Sequence, residues 1–337
     1  MVKMGIDQHA RNVVVSVQED GLVPKRARAM SPPQLLGLVR QHVAAGRQVF
    51  SAYEAGPCGY WLHRALEQAG AKNVVVVPQC WDRENRNVKT DKRDALELCN
   101  RLDSYLRGNT KAFSVVRVPT PEQEQRRGIG RQRGWLGKER RRCLARAFGL
   151  MLAAGFHAPS GWWQPPWWPQ WREELPLPLR EQVELWRSQA EGLAKQEQAW
   201  TERVEKYAEG QIVPKGVGQL TTALLELEIL DWSRFHNRRE VGSYTGLCPS
   251  EKSSGCKRRQ GSISKHGNPR IRHLLIEAVW RLLQWQPNYP PLRKLRAASG
   301  SRARRRAAVA AARRLAIDLW RIHTRQTTAE TVGLKLQ

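Results

Sequence analysis

Apolar positions in the first hundred residues fall into short runs separated by helix-spaced stretches. "KMGID" and "NVVVSVQ" are β-branched runs split by a turn, and "LVPKRARAM" reads as a third strand. A helix is predicted from about Pro33 to Ala45, then "QVFSAYEAG" as a strand ending at Glu54. "YWLHRALEQAG" reads as a helix stopping at Gly70, and "NVVVVP" as a buried strand. After a polar loop, "DKRDALELCNRLDSYL" is amphipathic, with Ala95, Leu98, Leu102 and Leu106 on its apolar side. Three meandering strands followed by helix, strand, helix, strand, helix is the element order of a ribonuclease-H-like α/β domain, although other α/β domains share much of it.

The pattern changes after residue 115. A very basic helical stretch runs from about Arg126 to Arg146, followed by the loop "GWWQPPWWPQW", whose prolines forbid a regular helix. Leu179, Val183, Trp186, Ala190, Leu193, Trp200, Val204 and Tyr207 then follow a 4,3 spacing broken only by Glu197. That seam predicts a coiled coil or helical hairpin arm, with an ordinary packed helix as the plainer alternative. "IVPKGVGQLTTALLELEI" resembles a helix-hairpin-helix turn, in which Gly216 and Gly218 would let backbone N–H groups, with Lys215, approach a phosphate. "SEKSSGCKRRQGSISKHGNPRIRHLL" reads as a Ser/Gly-rich loop, then basic, then helical. The tail "SRARRRAAVAAARRLAIDLW" reads as a basic, alanine-rich helix. The expected class is α/β plus α, divided as 1–115, 116–210 with the arm and the Trp/Pro loop, 211–300, and a basic tail at 301–337. No internal repeat is found.

Charge narrows the function. Fifty-seven Lys and Arg against 31 Asp and Glu give a formal net charge of +26. Such a chain binds phosphate backbones by counterion release. The basic residues are spread over several segments rather than one amphipathic helix, which favours nucleic acid over a membrane surface. No apolar run approaches membrane-spanning length, and no signal-peptide pattern opens the chain. Six scattered cysteines without CxxC pairs point to a reducing cytoplasm and away from structural zinc.

Within that basic background, acids at a few places stand out. Asp7 ends the first strand, Glu54 ends the fourth, and Asp91 and Asp94 open the helix after the last strand. In a ribonuclease-H-like sheet these places meet at one end. Phosphodiester chemistry with Mg2+ requires hard oxygen ligands, and two ions about 4 Å apart can activate the attacking oxygen and stabilise the leaving one. Each acid also has a structural reading: a turn cap for Asp7, a solvated strand end for Glu54, favourable dipole charges for Asp91 and Asp94. Glu97 and Asp103, farther along the same helix, are expected to be exposed or ion-paired. His266 is an ordinary loop histidine, a phosphate contact or a proton shuttle. The "WWQPPWW" cluster packs between helices or against a partner protomer, or stacks RNA bases.

"GID", "YEAGPCGYWLHRAL", "KTDKRDALEL", "VPKGVG" and "YTGLCPSEKSSGCKRRQGSISKHGNPRIRHLLIEA" together strongly resemble the insertion-sequence one-ten family of transposases, the DEDD transposases, or its eleven-eleven subgroup. The resemblance implies a RuvC-like domain whose tetrad is Asp7, Glu54, Asp91 and Asp94, holding Mg2+. It implies a nucleophilic serine at Ser254, with Ser253 as its neighbour; the basic residues Lys257, Arg258, Arg259, Lys265 and Arg270 are then candidate phosphate contacts by their charge. It implies a structured noncoding guide RNA (a bridge or seeker RNA) that pairs with donor and target DNA. It also implies protomers that pair through the coiled coil and assemble as a tetramer, with the serine of one completing the acidic site of another. The nucleoid of a bacterial cytoplasm is the expected location. The competing readings are a RuvC-like junction resolvase using water and a non-catalytic nucleic-acid scaffold.

Overall fold

The computed structural model describes residues 1–78, 90–254 and 257–337; of residues 252–254 and 257–258 only the backbone is described. The chain divides into two compact units, Met1–Thr120 and Pro121–Gln337.

The first unit comprises β1 (Val2–Gln8), β2 (Val13–Glu19), β3 (Arg28–Met30), α1 (Pro32–Ala44), β4 (Val49–Glu54), α2 (Trp61–Gln68), β5 (Lys72–Val76) and α3 (Asp91–Leu106). The sheet order is β3-β2-β1-β4-β5, antiparallel from β1 to β3 and parallel from β1 through β4 to β5. The third strand is shorter than expected and is confined to Arg28–Met30.

Side-chain alternation divides β1 between two layers. Val2, Met4 and Ile6 pack with Leu35 and Val39 of α1 and Leu62 and Leu66 of α2. The opposite face, with Lys3 and Gly5, is covered by α3, whose Leu98 and Leu102 pack on Ala52 and Val76. Gly5 sets the depth of that contact. A methyl group there would overlap the Ala95 carbonyl oxygen and the Cys99 amide nitrogen. The buried Lys3 ammonium is paired with Asp103, which also binds Arg107 at 3.0 Å, and Glu97 binds Arg101 at 2.7 Å.

The second unit begins with α4 (Pro121–Ala153), α5 (Trp168–Glu174) and α6 (Leu177–Glu205). Helices α4 and α6 form an antiparallel pair, with Ala147 and Met151 beside Val183 at one end and Ile129 beside Val204 at the other. The polar break in the seam is satisfied internally. Glu197 is buried and receives Arg140 Nε at 2.9 Å and Arg133 Nη2 at 3.2 Å. The Trp/Pro loop folds over one end of this pair, where Trp162 and Trp168 are buried with Ala147, Met151 and Val183.

The remainder comprises α7 (Gln219–Ile229), α8 (Arg238–Thr245), β6 (Pro249–Ser254), β7 (Lys257–Ile263), α9 (Pro269–Trp285), α10 (Arg293–Ala297), α11 (Ser301–His323) and α12 (Ala329–Val332). One core holds Leu275, Val279 and Leu282 of α9 together with Ala312, Leu315 and Trp320 of α11. The basic tail expected at 301–337 is therefore continuous with 211–300, because α11 buries Ala308, Ala311, Ala312, Leu315, Ala316 and Leu319 in the same core as α9. Among the described residues no helix is long and apolar enough to cross a membrane.

Candidate functional site

Three local features gather the acids of the first unit. Ile6 of β1 pairs with Tyr53 of the parallel β4, so Asp7 and Glu54 are the next residues on adjacent strands. Both lie two residues beyond small residues that face α3, Gly5 and Ala52, and so share that face. Close approach of α3 over Gly5 then brings its first turn, with Asp91 and Asp94, to the same sheet end. Asp7, Glu54, Asp91 and Asp94 line one cavity of about 140 Å3, together with Ile6, His9 and Leu98.

The electrostatics reflect this crowding. Burial raises the Asp7 carboxyl above its ordinary value, His9 opposes that, and Asp91, Asp94 and Glu54 add to the rise. His9 Nε2 lies 3.4 Å from Asp7 Oδ2 and 3.1 Å from Asp91 Oδ2. That nitrogen is out of solvent and makes no hydrogen bond of good geometry. One ligand atom each from Asp7, His9 and Asp91 lies within 4.8 Å of the others, a spread one cation can span. Crowded carboxylates, a raised Asp7 and an unsatisfied nitrogen facing them suit a divalent cation chemically.

The serine segment is a second feature, and it is not a loop. β6 and β7 form a two-stranded antiparallel ribbon that pairs Ser253 with Arg258 and Ser254 with Lys257. Gly255 and Cys256 lie outside the described residues, as do the side chains of Ser253, Ser254, Lys257 and Arg258. Arg259 is exposed on β7. The base of the ribbon is fixed by glycine. Gly246 closes α8 in a left-handed conformation (φ 65°), and a methyl group at Gly267 would overlap Gly246 N and Tyr244 O. Asn268 caps α9 by accepting from Arg270 N at 2.9 Å and donates to Glu228 Oε2 at 3.0 Å.

The other basic candidates are distributed unevenly. Lys265 and His266 are exposed at the ribbon base. Arg270 is half-buried, its Nε 3.8 Å from Glu228, a carboxylate already held by Arg131 at 3.0 and 3.2 Å. Lys215 N donates to Lys335 O, tying the Pro214–Gly218 turn to the chain end. Gly216 is there for packing, since a methyl group would come within 2.7 Å of Trp285 Cβ, while Gly218 (φ 82°) starts α7.

Residues 214–296, which span this turn, α7, α8, the ribbon and α9, match the sequence model of the transposase IS116/IS110/IS902 family. The chain is 35% identical over 264 residues to "Putative transposase y4rJ" of Sinorhizobium fredii, covering 70% of this chain and 66% of that one. The chain belongs to the IS116/IS110/IS902 transposase family. A second Sinorhizobium fredii relative, "Putative transposase y4qE", is 29% identical over 75% of this chain and 62% of its own. The transposase for insertion sequence element IS1111A of Coxiella burnetii is 27% identical over 81% and 77%. The chain thus spans a little under two thirds of the two Sinorhizobium relatives.

The family segment of 214–296 leaves out the acidic cluster, so the fold around that cluster rests on the first unit's own geometry. His9 is the member of the cluster that sequence reasoning missed. Its signal was available: it stands two residues after Asp7, the spacing that keeps a side chain on the same face of an extended chain.

Proposed function

We propose that this family member is the DNA transposase of a mobile element, cutting and rejoining strands through a phosphoserine link. The observation that carries the reading is the convergence of Asp7, Glu54, Asp91 and Asp94 on one cavity with the unsatisfied His9 Nε2. The sheet order β3-β2-β1-β4-β5, with all four acids at one end, supports a RuvC-like fold for the first unit. In this reading the four acids, with His9 beside them, hold Mg2+. When bound, the ion supplies positive charge to a phosphate and lowers the cost of placing a polyanion against carboxylates.

The chain's own residues do the rest. Ser254 loses its proton as Oγ bonds to phosphorus, the bond from phosphorus to a 3′ oxygen breaks, and that oxygen takes up a proton. A 3′ hydroxyl of another strand then attacks the phosphoserine, and the serine regains its proton. Nothing is oxidised, and the count of phosphodiester bonds is kept. The backbone register of the ribbon pairs Ser253 with Arg258 and Ser254 with Lys257, and in this reading those two basic residues bear phosphate charge. Sequence choice falls to a noncoding guide RNA paired with donor and target DNA, and the +26 chain holds backbone and shape. The antiparallel α4–α6 pair is the arm through which protomers join, as dimer and then tetramer.

A second reading is favoured by one observation: the acidic cavity is lined entirely by residues of the first unit. Such a site can activate water alone, as in a junction resolvase. The two readings separate in a strand-cleavage and strand-exchange assay with Mg2+. Ser254→Ala abolishes exchange and the covalent protein–DNA species if serine is the nucleophile, whereas undiminished cutting by this variant supports water. Asp7→Asn abolishes cutting in both, and unchanged Mg2+-dependent cutting in that variant would rule out the acidic cluster as the engine.

A further inference from the structure

A cavity of about 740 Å3 opens in the second unit at the turn between α9 and α10, and none of its lining residues belongs to the acidic cluster or the serine ribbon. Its volume is that of a small-ligand site, commonly about 300–1,000 Å3. Tyr289, Pro290 and Pro291 form part of the lining, and Ala307, Ala310 and Ala311 form another part, on one face of α11. The lining is mainly apolar, its accessible part coming from the prolines, Ala307 and Ala310 because Tyr289 and Ala311 are nearly buried, and the prolines are conformationally stiff. Around them stand Arg293, Lys294, Arg296 and Arg314, and no carboxylate lines the cavity.

Two of those cations are already engaged. Arg296 Nη1 donates to Pro287 O at 3.2 Å and Asn288 Oδ1 at 3.3 Å, and Arg314 Nε lies 3.0 Å from Asp318 Oδ1. Arg293 and Lys294 are exposed, and among the described residues they have no ion-pair or hydrogen-bond partner. Exposed Arg302, Arg304, Arg305 and Arg306 occupy the first turns of α11, so cationic surface continues from them to the residues that line the cavity.

A phosphate alone would leave most of that apolar volume empty, and a stacked duplex cannot place a base in it. We propose that the cavity takes one unstacked nucleotide of a single-stranded nucleic acid. Its base lies against the proline and alanine surfaces, and its flanking phosphates meet Arg293 and Lys294. Unstacked bases held on protein surface beside a cationic track characterise single-strand recognition, and here the wall is proline and alanine rather than an aromatic ring. The proposal does not depend on the acidic site.

The test uses the full chain, fluorescein-labelled 20-nucleotide single strands of RNA and DNA, the matching duplex, and strands carrying 5-iodouridine for photocrosslinking. The double variant Arg293→Ala/Lys294→Ala is expected to weaken single-strand binding about tenfold and to reduce the log–log salt slope by about 1–2. Ala310→Leu, at an exposed position where a larger side chain disturbs no core, fills the slot. It is expected to weaken single-strand binding about fivefold with the slope and duplex binding unchanged. Crosslinks are expected within 287–314, stronger for whichever of RNA and DNA is the natural occupant.

Equal losses for single strand and duplex in Ala310→Leu, or crosslinks confined elsewhere, overturn the proposal. Saturable binding of uridine monophosphate that Ala310→Leu removes, without an oligonucleotide crosslink, reassigns the cavity to a free nucleotide. An acidic peptide that displaces the strand and is itself lost in Ala310→Leu reassigns it to protein. Thermal midpoints monitor folding. If Ala310→Leu is unfolded, the Arg293/Lys294 variant and the crosslink map decide.

Discussion

Gly5 and Asp7 sit two residues apart and serve opposite ends. Gly5 lets α3 lie on the backbone of β1, and that contact delivers Asp91 and Asp94 to Asp7. Gly5→Ala must push α3 outward, because the obstructing atoms are backbone and cannot rotate away. An overpacking cost of about 2–3 kcal/mol is expected, read as a lower urea midpoint, together with weaker divalent-ion binding. Asp7→Asn is expected to do the reverse to stability. Burial and three neighbouring carboxylates disfavour the ionised Asp7, so its folded-state proton is held to higher pH than in the unfolded chain. Stability from this group is present below the ordinary carboxylate range and is lost as pH rises through the raised value. Removing the charge should therefore raise the melting temperature of the metal-free protein at neutral pH by about 1–3 °C and abolish the rise produced by Mg2+ or Mn2+. Calorimetry with and without the ion checks both signs. The acids were legible in the sequence because strand ends and a helix start can be read from pattern; His9 was not singled out, since a lone histidine beside a strand end has many ordinary roles.

At the scale of elements, apolar periodicity predicted the strands and helices of the first unit to within a few residues, except that β3 is confined to the last three residues of the stretch expected for it. The serine segment escaped it because Pro249–Ser254 and Lys257–Ile263 are polar strands with little apolar alternation. They hold their place through pairing with each other and through the Gly246–Gly267 contact at their base. The helical unit conceals a polar device of another kind. Glu226 of α7 accepts the Trp232 indole N–H at 2.8 Å, and His323 at the end of α11 stacks on Trp232 with Nε2 3.4 Å from the same carboxylate. Burial raises Glu226 above 4.5 and depresses His323 to about 4. A raised carboxyl loses stability as pH climbs past 4.5, and a depressed imidazole loses it as pH falls below 6.5. Over the shared range the two slopes oppose, so the pair contributes little net pH dependence. Glu226→Gln leaves the histidine alone, and unfolding free energy should then fall by about 3 kcal/mol between pH 6.5 and 4. His323→Gln leaves the carboxyl alone and should lose stability as pH rises from 4.5. Urea titrations across that range, compared between the two variants, test the opposition of signs.

At the scale of the whole molecule, the chemistry proposed here is split between units: the acids belong to Met1–Thr120 and the serine to Pro121–Gln337. Membership of the transposase family was legible because the segment from the Pro214 turn to α9 carries its most specific motifs, and a relative matches over 70% of the chain. Which acidic site a given serine completes is not a property that spacing along one chain can encode, because both arrangements use the same residues. Mixing separates them. Asp7→Asn carries an intact serine with a broken acidic site, and Ser254→Ala carries the reverse. If the site joins acids of one protomer to the serine of another, a mixed dimer contains one wholly intact site and one doubly broken site. Random pairing of equal amounts makes half the dimers mixed, so about one quarter of wild-type sites should return. If each serine serves its own chain, every site in every mixture lacks one component and no activity returns. The assay is formation of the covalent protein–DNA species, which reads individual sites and does not require the complete exchange reaction. The covalent label should appear only on the Asp7→Asn chain, since it alone retains Ser254. Labelling of that chain without any Ser254→Ala partner would show instead that the acids are dispensable for attack.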